Sequence, residues 1–400
     1  MAGVLTYSRP FWDETELLEI RKVIESGTWT GGPALARFED ELRDALRVPE
    51  VVCLSSGTTA IQALLTLLRR PESSGLVVTS SLNFVAVASA ALHAGYDLAC
   101  TDIERDTLNM APGSLAEVLE RLAPRYAQIV VFPVHFAGLP CDIAALSAIA
   151  RAHGALLAED ACHAIGAAYH PGGPPVGGHP ASVGAAFSFH PTKPVAAGEG
   201  GALALADPAL AGRVRRYRNH NMSREDFLDL EAAVDPGLGP NPWYYQVLAP
   251  GSNLRMSDLH AAVGLAQLAR LPLSLSRRRA LVDRYRAAAA ELPGVRLVTP
   301  DDSAGSAHHL LPAVFDLDAL GMTKREVFEF FRRRGILLQL HYTPIHCQPA
   351  FASLPAVRGC AFPVLDEVRR GLFSLPLFHG MTDRDLDQVL RALGDLAERS

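Results

Sequence analysis

The chain is 400 residues long, 49% hydrophobic and 20% charged, with a formal net charge of −6. That length supports a large core and, by size alone, one big domain with a smaller one beside it. The mild acidity, spread without long like-charge blocks, excludes an electrostatic nucleic-acid surface, and no apolar run approaches the length that spans a bilayer.

The opening MAGVLTYSRPFWDE lacks the basic start and apolar block of a signal peptide. From about residue 50 to 205 short apolar runs alternate with helical patterns. Strands are expected at 51–54, 76–79, 98–101, 129–134, 155–158, 183–189 and 202–206, with helices over 55–68, 85–93 and 143–152. Alternation of this kind predicts a doubly wound, mixed and mostly parallel α/β sheet, and near-continuous apolar strands fit a sheet covered on both faces. The Pro/Gly-rich HPGGPPVGGHP (170–180) reads as a turn. After the loop 236–255 the texture changes: helices at 257–271 and 278–292 joined by LPLSLS, a strand in HLLPAVFDL, a helix in KREVFEFFRRR, a strand in ILLQLHY and a helix in TDRDLDQVLRAL. The expected division is a large domain over 1–255 and a smaller C-terminal α+β domain over 256–400. The basic clusters at 277–279 and 332–334 fall in helical patterns and read as solvated faces. Six cysteines, Cys53, Cys100, Cys141, Cys162, Cys347 and Cys360, form no CxxC pair and no metal-type spacing, so reduced thiols in a cytoplasmic protein without a metal site are expected.

Doubly wound sheets bind ligands at the carboxyl ends of their strands, and four polar clusters fall there. SSGTTA (55–60) stands between a strand and a helix, where small residues leave N–H groups facing an anion; a plain Ser/Thr helix cap reads equally. AEDACHAIG (158–166) ends an apolar strand with Glu159, Asp160 and His163, and a carboxylate there needs a cation or several donors, or serves as a structural cap. Asn83-Phe84 follows a strand and offers an aromatic face for a flat ligand, or simply core. FSFHPTKPVAAGEGG (187–201) carries the lone Lys193 before a glycine cluster. Pyridoxal phosphate requires an imine-forming lysine, an acidic partner for its ring nitrogen, a phosphate cradle and a surface against the ring, and all four needs are met here. The histidines of HYTPIH, His341 and His346, lack a third ligand at suitable spacing and read as polar groups at a pocket rim.

These residues resemble the DegT/DnrJ/StrS family of pyridoxal-phosphate-dependent sugar aminotransferases, of fold type I. The resemblance runs over nearly the whole chain, through TWTGGP with FED downstream, SSGTTA, PVHFAGLPCDI, AEDACHAIGA, FSFHPTKPVAAGEGG, GSNLRMSDLHAAVGLAQL, QLHYTPIH and SLPLFHGMTD. It implies that Lys193 forms the Schiff base, Asp160 pairs with the pyridine nitrogen, His163 lies close to the cofactor and Phe84 stacks on its ring. Ser56, Gly57, Thr58 and Ser188 would hold the phosphate, and Asn253 would reach the cofactor phosphate of a second subunit, which implies a homodimer with shared sites.

Within the family the motifs PWYYQ, AGLPCDI, EDACHAIG, FSFHPTKP and QLHYTPIH are most similar to those of the pseudaminic acid pathway transaminases. That likeness implies transfer of an amino group from L-glutamate, leaving 2-oxoglutarate, to C4 of a UDP-linked 4-keto-6-deoxy N-acetylamino sugar. Substrate contacts would then map onto Tyr7, Trp29, Thr30, Arg255, Gln339, His341 and Tyr342. Leu254, His260, Asn221 and the Ala181-Ser182 pair depart from the common pattern; none removes a cofactor contact, but Leu254 and Asn221 bear on which sugar fits. The alternatives are the same chemistry on a 3-keto sugar or a cyclitol ketone, and a binding or regulatory protein that keeps only the fold. Dehydratases related to the family carry His where this chain has Lys193.

Overall fold

The structure, a computed structural model, describes residues 4–225, 227–228, 234–235, 239–299 and 305–398. The first three residues of the N-terminal segment and residues 236–238, which open the loop read after the first half, lie outside the described residues.

Two helices lead in. The first, α1 (Glu14–Ser26), starts at a capping box in which Asp13 accepts from Thr15 and Glu16 turns back to the Asp13 backbone. The second, α2 (Pro33–Leu46), begins with proline and is capped from far away in sequence. The buried carboxylate of Asp258 accepts from the backbone N–H groups of Gly32, Ala34 and Leu35 at 2.9–3.1 Å. Such a cap satisfies donors that a helix start leaves open.

Then comes the main body: β1 (Glu50–Leu54), α3 (Gly57–Leu68), β2 (Gly75–Ser80), α4 (Ala86–His93), β3 (Asp97–Thr101), α5 (Pro112–Leu122), β4 (Gln128–Phe132), α6 (Ile143–Ala152), β5 (Leu156–Asp160), β6 (Ser182–Ser188), β7 (Gly201–Leu205) and α7 (Pro208–Tyr217). The seven strands lie in the order β1-β7-β6-β5-β4-β2-β3. Pairings from β6 through β5, β4 and β2 to β3 are parallel, and β7 alone runs against its neighbours β1 and β6. Strands β2, β4 and β7 are buried along their whole length, as the near-continuous apolar runs predict for a sheet covered on both faces. One face packs on α3, α4 and α7, and the other on α2, α5 and α6. Each expected strand of this region is present within two residues of its expected ends.

After two small ribbons, Met222–Ser223 with Gln246–Val247 and Val234–Asp235 with Gly239–Pro240, the chain enters α8 (Asp258–Ala289), capped by Ser257. This corrects the sequence reading of two helices joined by LPLSLS. The helix runs through Pro272, whose ring faces solvent and therefore meets no packed neighbour. Its first half buries Ala261, Leu265 and Leu268 against the large body, and its second half buries Leu281, Val282 and Tyr285 in a separate cluster. That cluster is built on β8 (Val295–Leu297), β9 (Leu311–Phe315), α9 (Lys324–Arg333), β10 (Leu372–Leu375) and α11 (Asp383–Ala397), while α10 (Pro363–Gly371), between α9 and β10 in the chain, turns Leu365 and Val368 to the core of the large body. The strands β8, β9 and β10 form an antiparallel sheet with β9 central.

A second correction concerns ILLQLHY. It is no strand of that sheet but an extended segment with isolated bridges, Ile336 to Leu5 and Gln339 to Ser374. The strand beside β9 is instead β10, of sequence LFSL, to which Gln339 makes its single bridge. Through Leu5 the N-terminal segment is tied to the C-terminal body, and the backbone of Tyr7 accepts from Leu377. Among the described residues no helix is long and apolar enough to cross a membrane.

Candidate active site

The carboxyl ends of β1, β2, β5 and β6 open on one side of the sheet, and a cavity of about 320 Å³ lies there. Its wall includes Tyr7, Ser56, Gly57, Thr58, Phe84, Asp160, His163, Ser188, Lys193, His341 and Tyr342, eleven residues singled out in the sequence. The fold thus brings together four strand ends, the N-terminal segment and the C-terminal body.

Lys193 sits on the loop between β6 and β7. Antiparallel pairing continues past β6, with Phe189 donating to Gly200 and Ala197 donating back to Phe189, so the loop closes on itself with buried Val195 and Ala197 as its anchor. Gly198 stands in the left-handed region at φ +81°, a turn that glycine adopts without strain. The loop directs Lys193 inward, where Nζ lies 3.5 Å from His309 Nε2. Burial pulls the Lys193 ammonium below its ordinary value, and the nearby Cys162 and Asp160 oppose that only in part. An amine so placed gives up its proton more readily than a surface lysine.

Asp160 ends β5 and is held by the segment that follows β4: its N–H donates to Pro133, and its carbonyl accepts from His135. Its carboxylate accepts from Asn83 Nδ2 at 3.2 Å and from the Cys162 N–H at 3.1 Å. Asn83 in turn accepts from the N–H of Phe84, so one amide sets both the acid and the aromatic face. Phe84 is 51% exposed, an apolar ring open toward the cavity.

At the start of α3, Ser56 caps the helix by accepting from Thr59, which leaves the N–H groups of Gly57 and Thr58 without intrahelical acceptors. A Cβ on Gly57 would stand 2.9 Å from Ser188 Cβ and 3.0 Å from Cys162 Sγ. Only glycine lets this turn approach the strand ends so closely. Free N–H groups, a helix N-terminus and the Ser188 hydroxyl form an anion cradle.

Three histidines complete the wall. Burial drives His163 and His309 well below their usual range, and His341 down to about 3, so all three are neutral near pH 7. His309 was missed in the sequence; it comes from the segment leading into β9, where its N–H donates to Ala137, and its ring lies 4.6 Å from that of His163. Behind it Arg278, part of a basic cluster read in the sequence as a solvated face, is instead buried; among the described residues it has no carboxylate partner, and it donates to the carbonyls of His308, His309 and Leu377. Glu199 and Thr192, also unforeseen, line the same cavity.

His346, expected at the pocket rim, is not part of the cavity wall: it hydrogen-bonds to Ser81 and stacks on Phe362. Five residues that the resemblance implicates in the site also lie elsewhere in this chain. Trp29 is 55% exposed and Thr30 is exposed, both beside Ser257 and Asp258 at the start of α8. Asn253 is exposed and bridges to Asn219, while Arg255 donates to the Asn219 side chain. The intervening Leu254 carbonyl accepts from Ser55, so this segment runs along the α3 turn without entering the cavity. Gln339 is exposed at its bridge to Ser374.

The donor set fits pyridoxal phosphate: an accessible lysine amine, an oriented buried carboxylate, a cradle of free N–H groups and an open aromatic face. Comparison with known proteins agrees. The chain is 34% identical to the spore coat polysaccharide biosynthesis protein SpsC of Bacillus subtilis (strain 168), over 404 residues covering 98% of this chain and 97% of that one. Its fold is similar to that of Helicobacter pylori PseC, an aminotransferase of pseudaminic acid biosynthesis, with a TM-score of 0.88 at 24% identity over 99% of this chain and 100% of that one. It is similar also to DesI, solved in the presence of its TDP-sugar product, with a TM-score of 0.85 at 28% identity over 100% of this chain and 94% of that one. Residues 10–394 match the DegT/DnrJ/EryC1/StrS aminotransferase family, and the chain belongs to that pyridoxal-phosphate-dependent family.

Proposed function

We propose that this enzyme transfers an amino group from L-glutamate to C4 of a nucleotide-linked 4-keto-6-deoxy N-acetylamino sugar, with Lys193 as the Schiff-base residue. The observation that carries the reading is the convergence of Lys193, Asp160 and the Ser56–Gly57–Thr58 turn on one cavity. A sugar as acceptor is supported by the relatives, among them a polysaccharide biosynthesis protein and an enzyme with a TDP-sugar product. The C4 position and the pseudaminic type rest on the motifs PWYYQ, AGLPCDI and QLHYTPIH.

Bound pyridoxal phosphate supplies an imine-forming carbonyl and a ring that accepts electrons from the carbon losing its proton. Everything else falls to the chain. Lys193, with its ammonium disfavoured by burial, holds a free amine that can take a proton and return it. Asp160 offers its carboxylate to the ring nitrogen, and Asn83 and the Cys162 N–H keep it pointed. Phe84 would face the ring, His163 would lie close to it, and Ser56, Gly57, Thr58 and Ser188 would hold the phosphate. Tyr7, His341 and Tyr342 close the opposite wall and meet the sugar.

A cavity of about 320 Å³ stands at the small end of ligand pockets. The nucleotide must therefore extend outside it, toward a subunit boundary where Trp29, Thr30, Arg255 and Gln339 supply walls. In the homodimer proposed here Asn253 reaches the neighbour's phosphate, which suits its exposed position beside the α3 turn.

The test is a panel of 3-keto and 4-keto sugars linked to UDP, GDP or dTDP, offered to enzyme first treated with glutamate. Return of the visible absorbance of the lysine-bound cofactor with a 4-keto sugar is expected. Return with only a 3-keto sugar, or with only a cyclitol ketone added to the panel, would replace the C4 assignment.

A further inference from the structure

Hydrogen-bond polarity in the cavity wall can be traced from a group that has no choice. The backbone N–H of Ala137 donates to His163 Nδ1 at 3.3 Å. A backbone N–H only donates, so Nδ1 must accept and carries no proton. Burial keeps His163 neutral, with Lys193 adding repulsion against a second proton, so its one ring proton is on Nε2. Nε2 lies 3.0 Å from the Tyr342 hydroxyl, which is therefore the acceptor in that contact.

The phenol's own proton is left over. Among the described residues Tyr342 has no second polar partner, and its ring stands beside Phe84, centroids 5.6 Å apart, on the cavity wall. Burial pushes the Tyr342 phenol well above its ordinary range, with Asp160, Tyr7 and Cys162 adding to the shift, so the proton stays in place through neutral pH. The chain of donors Ala137 to His163 to Tyr342 runs one way and ends in an O–H offered to whatever fills the cavity.

We propose that Tyr342 is a catalytic residue that donates its hydroxyl hydrogen bond to the oxygen on the carbon being aminated, with Ala137 and His163 fixing that direction. The assignment rests on the keto-sugar reading above. When nitrogen attacks the carbonyl carbon, the new C–N bond forms as the C–O π pair moves onto oxygen, and a donor already aimed there strengthens as charge grows. The phenol keeps its proton bound, since the hydrogen bond alone supplies the stabilisation. His163 then acts as a positioning residue, feeding its Nε2 proton to the phenol oxygen and leaving the O–H free to face the ligand.

Two nucleotide sugars that differ only at the reacting carbon, one with a hydroxyl and one deoxygenated, test the contact by calorimetric binding to wild type and Tyr342→Phe. Wild type should favour the hydroxyl ligand by about tenfold, and Tyr342→Phe should lose that preference. With a substrate accepted in the panel, Tyr342→Phe should lower kcat on the order of 10²-fold with little change in KM. Nitrogen-15 spectra of histidine-labelled protein should show His163 protonated at Nε2 and bare at Nδ1 from about pH 6 to 8. A proton on Nδ1, or an unchanged preference in Tyr342→Phe, overturns the assignment alone. Wild type that binds neither ligand overturns the keto-sugar reading, and this assignment falls with it.

Discussion

At Asp160 a change of one atom is felt by three residues. The carboxylate is an acceptor on both oxygens, to the Cys162 N–H and to Asn83 Nδ2. In Asp160→Asn the carbonyl end must face Cys162, because that backbone donor cannot turn round. The new NH₂ then meets the NH₂ of Asn83, and relief by flipping Asn83 breaks its bond to the Phe84 N–H. The variant should fold, bind cofactor more weakly, and lose kcat on the order of 10²-fold, because the charge paired with the ring nitrogen is gone. Normal kcat in the face of reduced affinity would make Asp160 a scaffold residue only. Lys193 and Asp160 were legible in the sequence because each stands next to an apolar strand run or a glycine turn. His309 was not. In AHHLL nothing marks the second histidine, and its position is set by backbone pairing with Ala137, far off in the chain.

Elements buried on both faces were legible for the same kind of reason: β2, β4 and β7 admit almost nothing but apolar residues, so pattern and position coincide. Where one side is open the sequence underdetermines the outcome. Residues 336–342 have strand composition, yet Leu337 and Gln339 face solvent and the segment finds single bridges in place of a ladder. Residues 271–276 read as a joint because proline usually interrupts a helix. In α8 the proline faces water, and burial of Leu271 on one side and Ser274 and Arg278 on the next turn holds the helix together across it. Pro272 still lacks the N–H that would donate to the Leu268 carbonyl. Pro272→Ala should therefore raise the chemical-denaturation midpoint, by an amount equivalent to about 1–3 kcal/mol, because the strained turn regains its bond and loses nothing packed. A lower midpoint would mean that a bend at Pro272 is required to seat Arg278 behind His309.

On the scale of the whole molecule, the cavity sets how the protein withstands acid. His163, His309 and His341 are buried at the junction of the two bodies, and desolvation is the first cause of lowered proton affinity in each. For His341 the folded value is about 3. In the unfolded chain each would titrate near the ordinary value of about 6.5. Between those limits the unfolded state binds more protons than the folded one, so stability rises with pH and is lost as pH falls below the unfolded value. Partly exposed His346 and His379 are shifted the same way and add to the trend. Lowered carboxylates such as Glu16 and Glu19 act in the same direction, but only once the pH approaches about 4.5, where carboxylates begin to bind protons. The span from about pH 6.5 to 4.5 therefore reports the histidines. With three groups each worth about 1.4 kcal/mol per pH unit, the loss approaches roughly 4 kcal/mol per unit at the acid end of that span. Thermal melts of cofactor-free protein should show Tm dropping steadily from pH 7 to 5, and His341→Gln, which removes one of these titrating histidines, should make the decline shallower. A Tm that holds level across that range would mean that the three imidazoles accept protons within the folded protein, and the neutral wall around Lys193 would have to be abandoned.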